Sequence, residues 1–270
     1  MLWAMNRAIA HSLFLLWGSL APLGILDKML ILAIDTSGQS GGITLAQADA
    51  GSFRVIESAA IAGGTFSAQL IPTLAALLKK HGYGVKDLGG FIAASGPGSF
   101  TGLRVGLSAI KGLAETLHKP IATVSVLEAL ASLAEGEEKI AAAIDAGRKE
   151  VFLGLYQKNE DASAEKSAPQ RSTQSAHALI KQREELLTHQ DFLATLATER
   201  PAAIITSDAA LAELASNSHS AIVVVTAPGS EVIARIGAGK LLAGETVSVE
   251  ALDANYLRRS DAEIFFKGKR

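Results

Sequence analysis

Apolar and polar positions along this chain follow two rhythms, short apolar runs and longer helical stripes, and the two take turns. Leu30–Asp35 is a short apolar run that closes on an acid, the mark of a buried strand. Gly41–Ala46 follows across a Ser/Gly turn and Phe53–Ile61 comes next, which predicts an opening β-meander. From Ser67 to His81 the period lengthens: Leu70, Leu74, Leu77 and Leu78 share one stripe, and Gly82 ends it. Leu88–Ser95 then reads as a strand, Thr101–Leu117 as a helix, Pro120–Val124 as a strand and Val126–Ala134 as a helix. Strands alternating with helices predict an α/β fold with a mixed sheet.

The pattern then starts again. Ala143-Ile144-Asp145 repeats Ala33-Ile34-Asp35, each after an apolar run, and Val151–Gln157 follows the one as Gly42–Gln47 follows the other. Two lobes that open alike predict an internal duplication, with a first lobe over 29–137 and a second over 138–270. Residues 158–190 are polar and alanine-rich and read as an irregular or partly helical excursion. Ala202–Thr206, Asp208–Ala215, Ala221–Thr226 and a helix over Ser230–Ala243 complete the second lobe.

Composition narrows the function. Of 270 residues 49% are hydrophobic, enough apolar surface to offset chain ordering and exclude a disordered polymer. The absence of cysteine removes disulfides, thiol nucleophiles and cysteine-ligated zinc, and it fits a reducing, cytoplasmic setting. A net charge of -2 and only 2 Trp, 3 Tyr and 9 Phe argue against a protein that grips nucleic acid alone. Residues 1–28 stand apart, with both tryptophans and three charges, Arg7, Asp27 and Lys28. A signal peptide or membrane anchor is one reading. Against it, His11 and Pro22 interrupt the stretch before the ~20 apolar residues a span needs. The favoured expectation is an upstream start outside the fold, with Met29 as the natural first residue and no membrane attachment.

Two segments could carry chemistry. Ser95–Gly106 reads SGPGSFTGLRVG, between a predicted strand and a predicted helix. Gly96, Gly98 and Gly102 permit turns closed to other residues, and helix N–H groups with Ser99 and Thr101 could cradle an anion. The segment lacks a P-loop ending and the GxGxxG spacing, so local spacing favours a tight turn capped by Ser99 or Thr101. Asp35-Thr36-Ser37 ends the first strand, where α/β folds often bind ligands. Together Asp35, Thr36, Ser37, Gly96, Gly98, Ser99 and Thr101 form a candidate vestigial nucleotide or anion site. In the helix that follows, Leu103, Leu107, Ile110, Ala114 and Leu117 make one apolar stripe, while Gly102, Val105, Gly106, Ala109 and Gly112 make a face of small residues. Each helical glycine costs up to ~1 kcal/mol against alanine, which calls for a packing partner. Ser67–His81 or a helix of another subunit can supply it, and either stripe can face inward. None of the six histidines pairs at HxxH or HxxxH spacing, and no G-x-S-x-G elbow occurs, so no metal and no catalytic residue is expected.

Four stretches carry a resemblance. ILAIDTS, SGPGSFTGLRVGLSAIKGLAETLHKPIATVSVLEALA, IDAGRKEVFLGLY and YLRRSDAEIFFK resemble the TsaB (YeaZ) family, strongest across Leu30–Tyr156. The family's members are partner subunits in bacterial synthesis of tRNA threonylcarbamoyladenosine. The resemblance implies two lobes of the actin/Hsp70-like (ASKHA) ATPase fold. It also implies a non-catalytic activator of TsaD, the homologous subunit that moves threonylcarbamoyl from its adenylate to the N6 of an anticodon-loop adenosine. TsaE, an ATPase, completes the set; ATP and metal are expected on the partner subunits, with no cofactor on this one. tRNA is met only through the complex. Family members pair through first-lobe helices, which implies that Leu70, Leu74, Val105, Gly106, Ala109 and Gly112 meet TsaD, or a second copy in a homodimer. Where the family often has His-Ser-Glu, this chain has Phe66-Ser67-Ala68, which puts any role of that His and Glu in doubt. The alternative from another class is an ATPase or phosphotransferase of this fold that uses Asp35. A metallopeptidase founders on the missing histidine pair.

Overall fold

The computed structural model describes residues 28–135, 139–158, 179–255 and 257. Nearly all of the expected N-terminal extension and most of the YLRRSDAEIFFK stretch lie outside the described residues. The opening meander forms as expected: β1 (Met29–Asp35), β2 (Ser40–Ala48) and β3 (Phe53–Ala62) pair antiparallel in succession. Helix α1 (Phe66–Lys80) leads to β4 (Gly90–Gly96), and helix α2 (Phe100–Leu117) leads to β5 (Ile121–Ser125). Both later strands run parallel to their neighbours, giving the order β3-β2-β1-β4-β5. β1 at the centre is apolar and almost wholly buried, because both faces of the sheet are covered.

A short helix, α3 (Val126–Ala131), carries the chain to a second sheet of the same design. β6 (Lys139–Gly147), β7 (Glu150–Lys158) and β8 (Leu179–Thr188) form an antiparallel meander. Helix α4 (His189–Glu199), β9 (Ala203–Thr206), helix α5 (Ala209–Leu214), β10 (Ala221–Val224) and helix α6 (Ser230–Leu242) follow. Taken in the order β8-β7-β6-β9-β10, the second sheet repeats the first strand for strand. The repeated Ala-Ile-Asp marks the same place in each, the end of the central strand.

Three expectations need correction. The described end of the 158–190 excursion is regular: Leu179–Thr188 is a strand paired with β7, and His189 begins a helix. Four charges, Lys181, Arg183, Glu184 and Glu185, hide that strand's apolar alternation, and it tolerates them because it lies at a sheet edge. The helix expected over Val126–Ala134 ends at Ala131. The third correction concerns the helices between lobes. A boundary near 137 separates the two sheets in sequence, but each lobe's last helix packs on the other lobe's sheet. Leu127, Leu130 and Ala131 of α3 share a core with Ile140, Ala142, Phe152 and Ile205 of the second sheet. Ile233, Ala234, Ile236, Ala238 and Leu241 of α6 share one with Ile31, Ala33, Ile92 and Val124 of the first. Gly237 lets α6 approach: a Cβ there would stand 2.3 Å from Ile92 Cγ2.

Candidate interaction face and the loop at its base

α1 and α2 lie side by side on the face of the first sheet away from α6, over a core of Leu32, Ile34, Leu45 and Phe91. Their apolar stripes point down. Leu70, Leu74, Leu77 and Leu78 of α1 and Leu103, Leu107, Ile110 and Ala114 of α2 are all buried in that core. The expectation that Leu70, Leu74 and Gly106 meet a partner is thereby corrected: Leu70 and Leu74 are 1% and 3% exposed. A Cβ on Gly106 would stand 2.4 Å from Thr36 Oγ1 and 3.3 Å from Ile34 Cγ2, so this glycine lets α2 rest on the end of β1. Val105 and Ala109 are half-buried at the edge of the core, and Gly112 is exposed, with nothing within 4 Å of where a methyl group would stand.

The upper surface of the pair is unusually plain. Ahead of its lysine end α1 exposes Ser67, Ala68, Gln69, Ile71, Pro72, Ala75 and Ala76, and along its middle α2 exposes Ser108 and Gly112. Ile71 is 53% exposed, and none of these nine residues is charged. Charge lies around it: Lys79 and Lys80 at the end of α1, half-buried Lys111 and exposed Glu115 beside Gly112 on α2, and Arg104 near the start of α2, stacked 3.8 Å over the Phe100 ring. Apolar and small residues ringed by charge are the anatomy of a protein contact. Sequence reasoning missed Ile71 and the three exposed alanines of α1; their offset from the Leu70/Leu74 stripe was the available signal. Phe66 fills the core against Gly41, and Ala68 stands on the exposed face, so the two departures from His-Ser-Glu serve packing and surface.

The glycine-rich loop at the base of α2 closes on β1 instead of opening as a cradle. Ser99 N–H donates to the Ser37 carbonyl at 2.6 Å. Methyl groups on Gly98 and Gly102 would stand 2.2 and 2.1 Å from the carbonyl oxygens of Ser37 and Thr36, so these glycines permit backbone contact. Ser99 caps α2 by accepting from Gly102 N–H at 3.2 Å, and Thr101 is exposed in the first turn. Asp35, Thr36 and Ser37 are all buried. The Asp35 carboxylate accepts from Ser37 N–H at 2.9 Å and from Ser37 Oγ at 2.6 Å. Burial raises the pKa of Asp35 above its ordinary value, and the two bonds from Ser37 only partly oppose that. The candidate residues thus come together in space as a joint between β1 and α2, with Asp35, Thr36, Ser37 and Gly96 buried and Gly98, Ser99 and Thr101 on its exposed side. Among the described residues no cluster of His, Asp and Glu could hold a metal ion, and no helix is long and apolar enough to cross a membrane.

Two lobes of duplicated topology, with helices crossing between them, make up a fold of the actin/Hsp70-like (ASKHA) kind. Comparison with known proteins agrees. A family model described as TsaD, tRNA N6-adenosine threonylcarbamoyltransferase, matches residues 59–190. The tRNA threonylcarbamoyladenosine biosynthesis protein TsaB of Bacillus subtilis is 38% identical over 130 residues, 48% of this chain and 56% of that protein. Its Escherichia coli counterpart is 34% identical over 96 residues, 34% of this chain and 42% of that protein. The chain therefore spans about half the length of the curated relatives it matches. YeaZ from Pseudomonas aeruginosa shares the fold, with a TM-score of 0.65 over 84% of this chain and 99% of that one at 24% identity. The chain is thus similar in sequence to TsaB proteins over about half their length and in fold to YeaZ.

Proposed function

We propose that this protein is a non-catalytic partner subunit in tRNA threonylcarbamoyladenosine synthesis, and that it docks a TsaD-type transferase on the exposed face of α1 and α2. The observation that carries this reading is the uncharged surface of Ala68, Ile71, Pro72, Ala75, Ser108 and Gly112, set on helices anchored by a full core beneath. The curated relatives are named for biosynthesis of this modification, which supplies the pathway. The protein meets tRNA through the complex, and TsaE, ATP and metal belong to the partner side of the assembly. An activator of this kind holds the transferase in a competent geometry, the positioning contribution that effective-molarity arguments assign to scaffolds.

The competing reading, an ATPase or phosphotransferase using Asp35, meets a physical objection. A carboxylate that works beside Mg²⁺ and phosphate must be ionised and reachable. Asp35 is 5% exposed, turned onto Ser37, and held toward its neutral form. One experiment separates the two readings: cells depleted of the native subunit are supplied with Asp35→Asn or Ile71→Glu, and threonylcarbamoyladenosine in bulk tRNA is quantified. Asp35→Asn should sustain the modification, and Ile71→Glu should lose most of it while the purified variant melts within a few degrees of wild type. Loss with Asp35→Asn and retention with Ile71→Glu would favour the enzyme.

A further inference from the structure

Asp35 is a buried acid at the foot of α2, one of the two helices of the docking face. Burying a carboxyl group costs free energy unless its hydrogen bonds offset the lost water. Both of its bonds end on one neighbour and on one oxygen: Oδ1 accepts from Ser37 N–H and from Ser37 Oγ. Together they close a turn that fixes the course of Thr36 and Ser37. Those two residues then meet α2 and its loop at four points. Ser37 carbonyl accepts from Ser99 N–H at 2.6 Å. Gly98 lies against the Ser37 carbonyl, Gly102 against the Thr36 carbonyl and Gly106 against Thr36 Oγ1, each too close for a side chain. Ser99, Gly102 and Gly106 share one side of the helix start, at the spacing of successive turns.

Contacts this close leave α2 no room to slide toward the strand, and the bond from Ser99 keeps it from drifting away. One to two turns beyond Gly106 the same helix exposes Ser108 and Gly112. A helix seated at interior packing density moves as one piece, so a shift at its foot is carried to that face. The geometry points to Asp35 as a positioning residue: by holding Ser37 it sets where α2 stands, and so the shape of the face offered to a TsaD-type transferase. This role, which rests on the docking reading of the α1–α2 face, needs the two hydrogen bonds and not a charge. Burial holds the carboxyl toward its neutral form, in keeping with that use. Asparagine at 35 keeps the acceptor oxygen, and alanine keeps none.

Full-length variants titrated into the transferase by calorimetry, with melting temperatures taken alongside, test the role. Asp35→Ala should weaken binding roughly tenfold, within the range that residues away from a site contribute to coupling, and Asp35→Asn should restore it. Gly106→Ala, which presses on Thr36 from the helix side, should weaken binding too. Leu196→Ala is the comparison, because it opens a cavity in a second-lobe core that contains no residue of α2. It should lower the melting temperature at least as far as Asp35→Ala and change affinity by less than about twofold. Amide exchange in the first two turns of α2 should quicken in Asp35→Ala and not in Leu196→Ala. If Asp35→Ala does not fold, Ser37→Ala, which removes only the Oγ bond, takes its place with a smaller loss in the same direction. The role is overturned if the alanine variant binds like wild type, if asparagine fails to restore binding, or if Leu196→Ala weakens it as much. Ile71→Glu tells the two failures apart: if it too binds like wild type the docking reading falls, and if it alone binds weakly only the positioning role does.

Discussion

At the residue scale, two glycines of α2 that look alike in sequence have opposite duties. Gly106 touches the end of β1, where a methyl group would press on Thr36 and Ile34, whereas Gly112 faces open space. Gly106→Ala should therefore destabilise by about 1–3 kcal/mol through overpacking, and Gly112→Ala should stabilise by up to about 1 kcal/mol through helix propensity. Chemical denaturation of the two variants checks both signs. Asp35 makes a second prediction. Its pKa is raised in the folded state by burial, so the native protein holds this proton more tightly than the unfolded chain does. That contribution favours folding below the ordinary value near 3.8 and is lost as pH rises through the raised one. Asp35→Asn keeps an oxygen acceptor for both Ser37 bonds and removes the titration. Its melting temperature should match wild type near pH 4 and exceed it by a widening margin toward pH 8. A wild type more stable at pH 8 would contradict this account of the site.

At the scale of elements, the sequence was most legible where periodicity was strong. β1 to β4, α1, α2 and the restart at Ala143 all show in the apolar pattern, because each buries one stripe or one run on a full core. β8 was hidden because an edge strand tolerates charge on both faces. α4 was overlooked although its signal is present: Thr188 accepts from Asp191 N–H at 3.1 Å, and Phe192 and Leu196 bury four residues apart. The inward direction of Leu70 and Leu74 could not be decided from the stripe alone. Two helices of which one face is leucine and the other alanine and glycine can pack either way until a sheet is placed beneath them.

At the scale of the whole molecule, the sequence showed two lobes and their likeness, and it did not show how they are tied. The apolar character of α6 on nearly every side reflects its place between sheets, but nothing local says which sheet. A C-terminal strap adds a second tie. Leu252 and Ala254 bury in the first lobe, Asn255 N–H donates to Ser95 at 2.7 Å, and Leu257 packs with the second lobe's core. Asn255 Nδ2 also donates to Glu184 at 2.7 Å; that glutamate side chain is 3% exposed and takes its other bond from Tyr156. Asn255→Ala leaves one Glu184 oxygen without its donor, so it should cost about 1–3 kcal/mol. Hydrogen exchange should quicken in β8 and in residues 252–257 together; quickening in the strap alone would mean that the lobes are held by the crossed helices. Crossed helices and strap thus tie the two lobes at three places.

The central claim is that the α1–α2 face is the docking surface, and a binding titration tests it most directly. The purified full chain is titrated into a TsaD-type transferase by isothermal calorimetry, as wild type and as Ile71→Glu, with circular dichroism confirming that both are folded. The account predicts saturable binding for wild type and at least a hundredfold weaker binding for Ile71→Glu. Equal affinity of the two would contradict it.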